Sequence, residues 1–141
     1  MAGIIQYVTY QDNRKNVGTG KFYGRAVHNT TINSDTLAER IQSSCTLKIS
    51  DVKACLVELV EEMKRELQNS NKVHLDGFGT FYINVKSTGA ESEDKFTAND
   101  NITGFRCRFV PEGHKDTATG KISRTFLDNL KVQKATGFVR A

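Results

Sequence analysis

Apolar residues in the middle of the chain recur at helical spacing. Val52, Leu56, Leu59, Met63 and Leu67 step by 4, 3, 4 and 4, with Cys55 and Val60 widening the stripe. This predicts an amphipathic helix from Ser50 to about residues 69–71, with Asp51 near the positive end of its dipole. A shorter helix is expected before it, starting at Ser34 or Asp35, whose side chains can accept bonds from free backbone N–H groups. Leu37, Ile41 and Cys45 line its face. Residues 4–10 and 21–27 are rich in β-branched and aromatic types and read as two strands joined by a polar loop. After the helices, Val73 and Leu75 lead into a turn at Asp76-Gly77-Phe78-Gly79, and Phe81, Ile83 and Val85 then alternate with Tyr82, Asn84 and Lys86. Phe105, Cys107 and Phe109 alternate with Arg106 and Arg108 up to Pro111, which cannot donate to a ladder and so ends the strand. Residues 87–101 are polar and read as a long exposed connection or flexible hairpin tip. Ile122, Phe126 and Leu130 fall four apart and predict a short helix over 122–130, before a basic tail.

Charge sharpens this picture. The chain of 141 residues carries a net charge of +4, unevenly spread. Residues 1–31 hold four Lys/Arg against one acid, and residues 111–141 hold six against three. The middle is neutral to acidic. Basic ends build a patch for polyanions only where the fold brings them together. Mean hydropathy is −0.47. No stretch approaches the roughly 18 apolar residues that would cross a membrane, and no secretory signal is expected. A cytoplasmic protein is the resulting expectation.

Cys45, Cys55 and Cys107 form no closely spaced pair, and His28, His74 and His114 are dispersed, so no metal site is expected. Free, buried thiols are. Gly20-Lys21 lacks the upstream glycine of a phosphate loop and is followed by Phe22 where Ser or Thr would bind magnesium. Glu58, Glu61 and Glu62 lie on the polar side of the second helix. Neither a catalytic constellation nor a cofactor or small-molecule substrate is indicated, and a non-enzyme is expected.

Gly77-Phe78-Gly79-Thr80-Phe81, following a short and then a longer helix, resembles the Gly-Phe-Gly-x-Phe turn of the bacterial histone-like HU/IHF family. Phe109-Val110-Pro111 resembles that family's Phe-x-Pro segment. The resemblance spans residues 33–130, with 1–32 as an N-terminal β extension and 131–141 as a basic tail. It implies an α+β fold, a helix pair plus a three-stranded antiparallel sheet, with an added N-terminal hairpin and a short C-terminal helix. It further implies an intertwined homodimer whose core takes Phe78, Phe81, Leu56, Leu59 and Met63, and in which Gly77 and Gly79 permit a tight turn. The implied partner is double-stranded DNA in the nucleoid, bound without sequence specificity.

The family's arms carry basic residues and a proline that wedges between base pairs. Residues 87–102 have neither proline nor arginine, and the Glu91-Ser92-Glu93-Asp94 run opposes phosphate. Thr119-Gly120-Lys121-Ile122 is similar to the end of the arm motif but follows Pro111. DNA contact is therefore assigned to a sheet saddle of Arg106, Arg108, Lys86, Tyr82 and Asn84, with Lys115, Lys121 and Arg124 beyond it. The alternative is a protein-interaction module that kept this fold and lost DNA binding.

Overall fold

The computed structural model describes residues 3–14 and 20–137. They form two compact units, one of residues 34–126 and one built from both chain ends, before residue 34 and from residue 127 onward.

In the larger unit, α1 (Ser34–Gln42) and α2 (Ile49–Gln68) precede β3 (Val73–Leu75), β4 (Gly79–Ser87) and β5 (Ile102–Pro111). The strands pair antiparallel in the order β3-β4-β5. This is the expected α+β arrangement. The Asp51 carboxylate accepts from the Lys48 N–H at 3.3 Å, satisfying a donor at the start of α2. Ala38 of α1 and Val52 of α2 are buried, and Lys53 pairs with Asp35 at 2.8 Å.

The turn between β3 and β4 depends on its glycines. Gly77 and Gly79 have φ of 72° and 147°. A Cβ on Gly79 would stand 2.3 Å from the Val110 carbonyl oxygen and 2.8 Å from the Phe109 ring, whereas one on Gly77 would meet open space. The Gly77 N–H donates to the Glu112 carboxylate, and the Glu112 N–H donates to the Phe78 carbonyl at 3.1 Å. The residue after β5 thereby clasps the turn.

The connection over 87–101 is locally folded rather than loose. Thr88 and Asn101 close it through a backbone bond of 2.7 Å. Asn101 is buried and donates to the carbonyls of Thr88 and Gly89 at 3.4 and 3.3 Å. A 3₁₀ turn (Glu93–Lys95) and the one-turn α3 (Ala98–Asn101), capped by the Thr97 hydroxyl, fill the interval.

The helix expected over 122–130 is not formed. β6 (Gly113–Lys115) and β7 (Ile122–Arg124) make an antiparallel hairpin, and residues 125–129 turn, with Asn129 at φ 55°. The four-residue spacing of Ile122, Phe126 and Leu130 fits a helix, but cross-strand pairing of Lys115 with Ile122 overrides it. The expectation of buried thiols also fails, since Cys45, Cys55 and Cys107 are all exposed in the protomer.

In the unit of the chain ends, β1 (Gly3–Gln11) is flanked by β2 (Phe22–Ala26) and β8 (Leu130–Lys134). β1 and β2 are antiparallel, while β1 and β8 are parallel, with Gly3 beside Leu130 and Tyr7 beside Lys134. The start of the basic tail is thus a strand, and residues 138–141 lie outside the described residues. Asp12 is buried after β1. Its N–H donates to the Lys21 carbonyl, and its carboxylate accepts from Arg14 at 2.6 Å. The Arg14 bonds hold the Asp12 carboxyl below its ordinary range.

Gly79→Ala is expected to cost about 3 kcal/mol or more, because strain and overpacking coincide there. Gly77→Ala should cost only about 1–2 kcal/mol, the penalty of a left-handed residue in free space. Urea unfolding of the two variants checks this, and equal losses would contradict the clasped turn.

Candidate nucleic-acid interface

Strand register decides which side chains share a face. β4 and β5 pair Tyr82 with Arg108, Asn84 with Arg106 and Lys86 with Gly104. Directly opposed residues project to the same side. Arg106, Arg108, Lys86, Tyr82 and Asn84 therefore share one face, as the alternation predicts. His74 and Thr80 belong to the same face and hydrogen-bond at 2.9 Å. Lys72 stands 5.1 Å from the centre of the Tyr82 ring, a cation–π contact that the sequence did not signal. Arg106, Arg108 and Lys86 are exposed, and none has an ion-pair or side-chain hydrogen-bond partner among the described residues. Unneutralised guanidinium groups in a row suit anionic oxygens.

The opposite face is apolar. Phe81 pairs with Phe109, Ile83 with Cys107 and Val85 with Phe105. Phe81 and Phe109 stack at 4.7 Å between centroids, and Phe78 meets both Phe109 and Phe126 edge-on at 5.5 Å. Yet Phe105 is 70% exposed, Val85 55% and Phe126 50%. On α2, Val60 is 62% exposed and Leu59 is exposed too, with Leu56 and Met63 half-buried. Val60, Met63, Leu67 and Ile83 line one groove, and Leu67, Ile83, Val85 and Phe105 line the next. The residues expected in the core thus form an aromatic cluster and an apolar strip, both half open.

The other assigned cations lie elsewhere. Lys115 and Arg124 are in the β6–β7 ladder and Lys121 immediately precedes β7, so no register brings them beside Arg106 and Arg108. Arg124 is turned inward, donating to the Pro111 carbonyl at 3.0 Å and lying against Gly113. At the hairpin tip, the Thr119 hydroxyl and the Ala118 N–H hold the Asp116 carboxyl below its ordinary range. A fixed negative charge therefore sits between Lys115 and Lys121.

A family model, HU-HIG, described as an HU domain fused to a wHTH, Ig, or glycine-rich motif, matches residues 1–125. The chain belongs to this HU/IHF-like family. The HU-HIG match begins at residue 1, so β1 and β2 lie inside it. Integration host factor subunit beta of Aeromonas hydrophila is 27% identical over 78 residues, 55% of this chain and 80% of that protein. A solved protein from Bacteroides vulgatus, provisionally assigned as a bacterial DNA binding protein, has the same fold at a TM-score of 0.56 and 6% identity. The likeness covers 94% of this HU-HIG chain, which spans 48% of that longer protein.

Because Arg106 and Arg108 project away from the aromatic cluster, the Arg106→Ala/Arg108→Ala variant is expected to melt within about 2 °C of wild type, as surface changes within roughly 0.5 kcal/mol do. A drop above about 8 °C in a thermal scan would show that the pair supports the fold instead.

Proposed function

We propose that this HU-HIG protein binds double-stranded DNA as a homodimer, without sequence specificity, through the basic β4–β5 face. The observation that carries the reading is the register that sets Arg106 and Arg108 beside Asn84 and Tyr82, opposite an apolar face. The half-open strip from Val60 to Phe105 is continuous across α2 and the sheet, and a second copy of the chain, presenting the same strip, is the occupant that fits. Under a two-fold axis the two arginine rows become one saddle. Arg and Lys there meet phosphates, so binding is sequence-tolerant and weakens with salt. The description of the Bacteroides neighbour as a bacterial DNA binding protein favours DNA as the partner. The reading makes the protein a non-enzymatic, nucleoid-associated one.

The folded connection over 88–101 contributes no intercalating arm in this reading. It closes on itself through Asn101 and carries Glu91, Glu93, Asp94 and Asp100 against Lys95 alone. One feature favours a protein-interaction module instead: residues 34–126 hold fourteen acids against thirteen Lys/Arg.

The test is duplex binding from roughly 50 to 200 mM salt. Losing four phosphate contacts per dimer, the Arg106→Ala/Arg108→Ala variant should reduce the log–log salt slope by about 3.6 and bind all sequences more weakly. Equal slopes would remove the saddle from the reading. Replacing residues 88–101 with a short Gly/Ser loop should leave duplex affinity within about three-fold of wild type or improve it, whereas a loss of about thirty-fold, roughly 2 kcal/mol, would show that this segment holds DNA.

A further inference from the structure

The net positive charge of the protein does not reside in the unit that carries the saddle. Residues 1–33 and 127–141 together hold seven Lys/Arg against two acids, while residues 34–126 are slightly acidic. Parallel pairing of β8 with β1 brings the two basic ends of the chain into one sheet. Its two faces differ. On one, Ile5, Tyr7, Phe22, Leu130 and Val132 follow from the register and make a largely apolar surface, with Thr9, Gln11 and Lys134 along its margin. On the other, the rows run Tyr10 beside Tyr23, Val8 beside Arg25, Gln6 beside Gln133 and Ile4 beside Lys131. Among the described residues of the three strands no carboxylate belongs to that second face, and the Asp12 carboxylate just beyond β1 is paired with Arg14.

The tyrosines are 36% and 40% exposed, with ring centroids 6.1 Å apart, and the Arg25 guanidinium lies 5.8 Å from the Tyr10 ring centre. Tyrosines that served only to pack the hairpin would be expected on the apolar side. Here two exposed rings stand beside the Arg25 guanidinium, on a face that also carries Val8, Gln6, Gln133 and Ile4 and, six residues along β1 from Tyr10, Lys131. Aromatic rings stack on bases that are not already stacked in a duplex, and neighbouring cations track the backbone.

We propose that this face of the β2-β1-β8 sheet binds single-stranded nucleic acid, with Tyr10 and Tyr23 stacking on bases and Arg25 and Lys131 neutralising phosphates. The site is separate from the β4–β5 saddle and does not depend on it. A duplex hides its base faces, so the surface discriminates for unpaired strands. A protein with both sites would engage duplex and an adjoining unpaired strand through different residues.

The experiment is fluorescence anisotropy of a labelled oligothymidylate of about 12 nucleotides, within the site sizes of single-strand binders, using the full chain. Tyr10→Ala/Tyr23→Ala should weaken binding of this probe about ten-fold or more, since each stacked base contributes substantially. Tyr10→Phe/Tyr23→Phe should restore it to within about three-fold, because the ring rather than the hydroxyl stacks. Duplex affinity should barely move in either variant, and Arg106→Ala/Arg108→Ala should leave oligothymidylate binding intact. Should the alanine pair unfold, the Tyr23→Trp variant decides: its emission should be quenched on saturation with oligothymidylate. Absence of binding by wild type, equal affinity of the alanine pair, equal losses on duplex, or unquenched emission would each overturn the proposal. Loss of the saddle alone would change duplex binding and leave this result standing.

Discussion

The described residues of a single copy leave much of their apolar surface uncovered. Among the described residues only Ala38 and Val52 are buried hydrophobics, while Phe78, Phe105, Phe109 and Phe126 are each at least 40% exposed. Fully burying such a side chain is worth roughly 1.5–3 kcal/mol, so each half-exposed one forgoes about 1 kcal/mol. Domains are stable by only about 5–15 kcal/mol in total. Open groups along α2 and the β4–β5 sheet are therefore comparable in energy to the whole stability of the fold. In the proposed assembly a second copy supplies the missing surface, and the other features take their place around that need.

The same alternation that creates the apolar face creates the basic one. Each ladder position that sends Phe81, Ile83 or Val85 inward sends Tyr82, Asn84 or Lys86 outward, and β5 does likewise with its arginines. A slip of one residue would place Arg106 and Arg108 among the phenylalanines. The clasped turn guards against this. Gly79, wedged against the Val110 carbonyl, and Gly77, held by Glu112, fix where β4 begins relative to β5. The proposed assembly and the proposed anion-binding row thus rest on one register.

Much of this was legible in the sequence because it is local. The stripe on α2, the alternation in β4 and β5 and the Gly-Phe-Gly-x-Phe turn each lie within about twenty residues. What escaped was non-local or ambiguous. Parallel pairing of residues 3–7 with 130–134 joins segments more than a hundred residues apart, and no periodicity announces it. Ile122, Phe126 and Leu130 fit a helix by spacing, and only the partner strand decides otherwise. Asn101, which closes the acidic connection by reaching back to Thr88 and Gly89, sits in a polar run with no pattern to mark it. Charge alone groups Arg124 with the proposed DNA-binding cations, yet its guanidinium is engaged with Pro111. Cysteine's packing as a small hydrophobe predicts buried thiols, an argument that fails for a protomer with so little interior.

Sedimentation equilibrium of the full chain at micromolar concentration is the most direct test, because both the stability argument and the saddle require a second copy. The account predicts a particle of twice the 15.7 kDa chain mass, with no stably folded monomer on dilution. A monomer of 15.7 kDa that unfolds cooperatively at a concentration-independent temperature would contradict it.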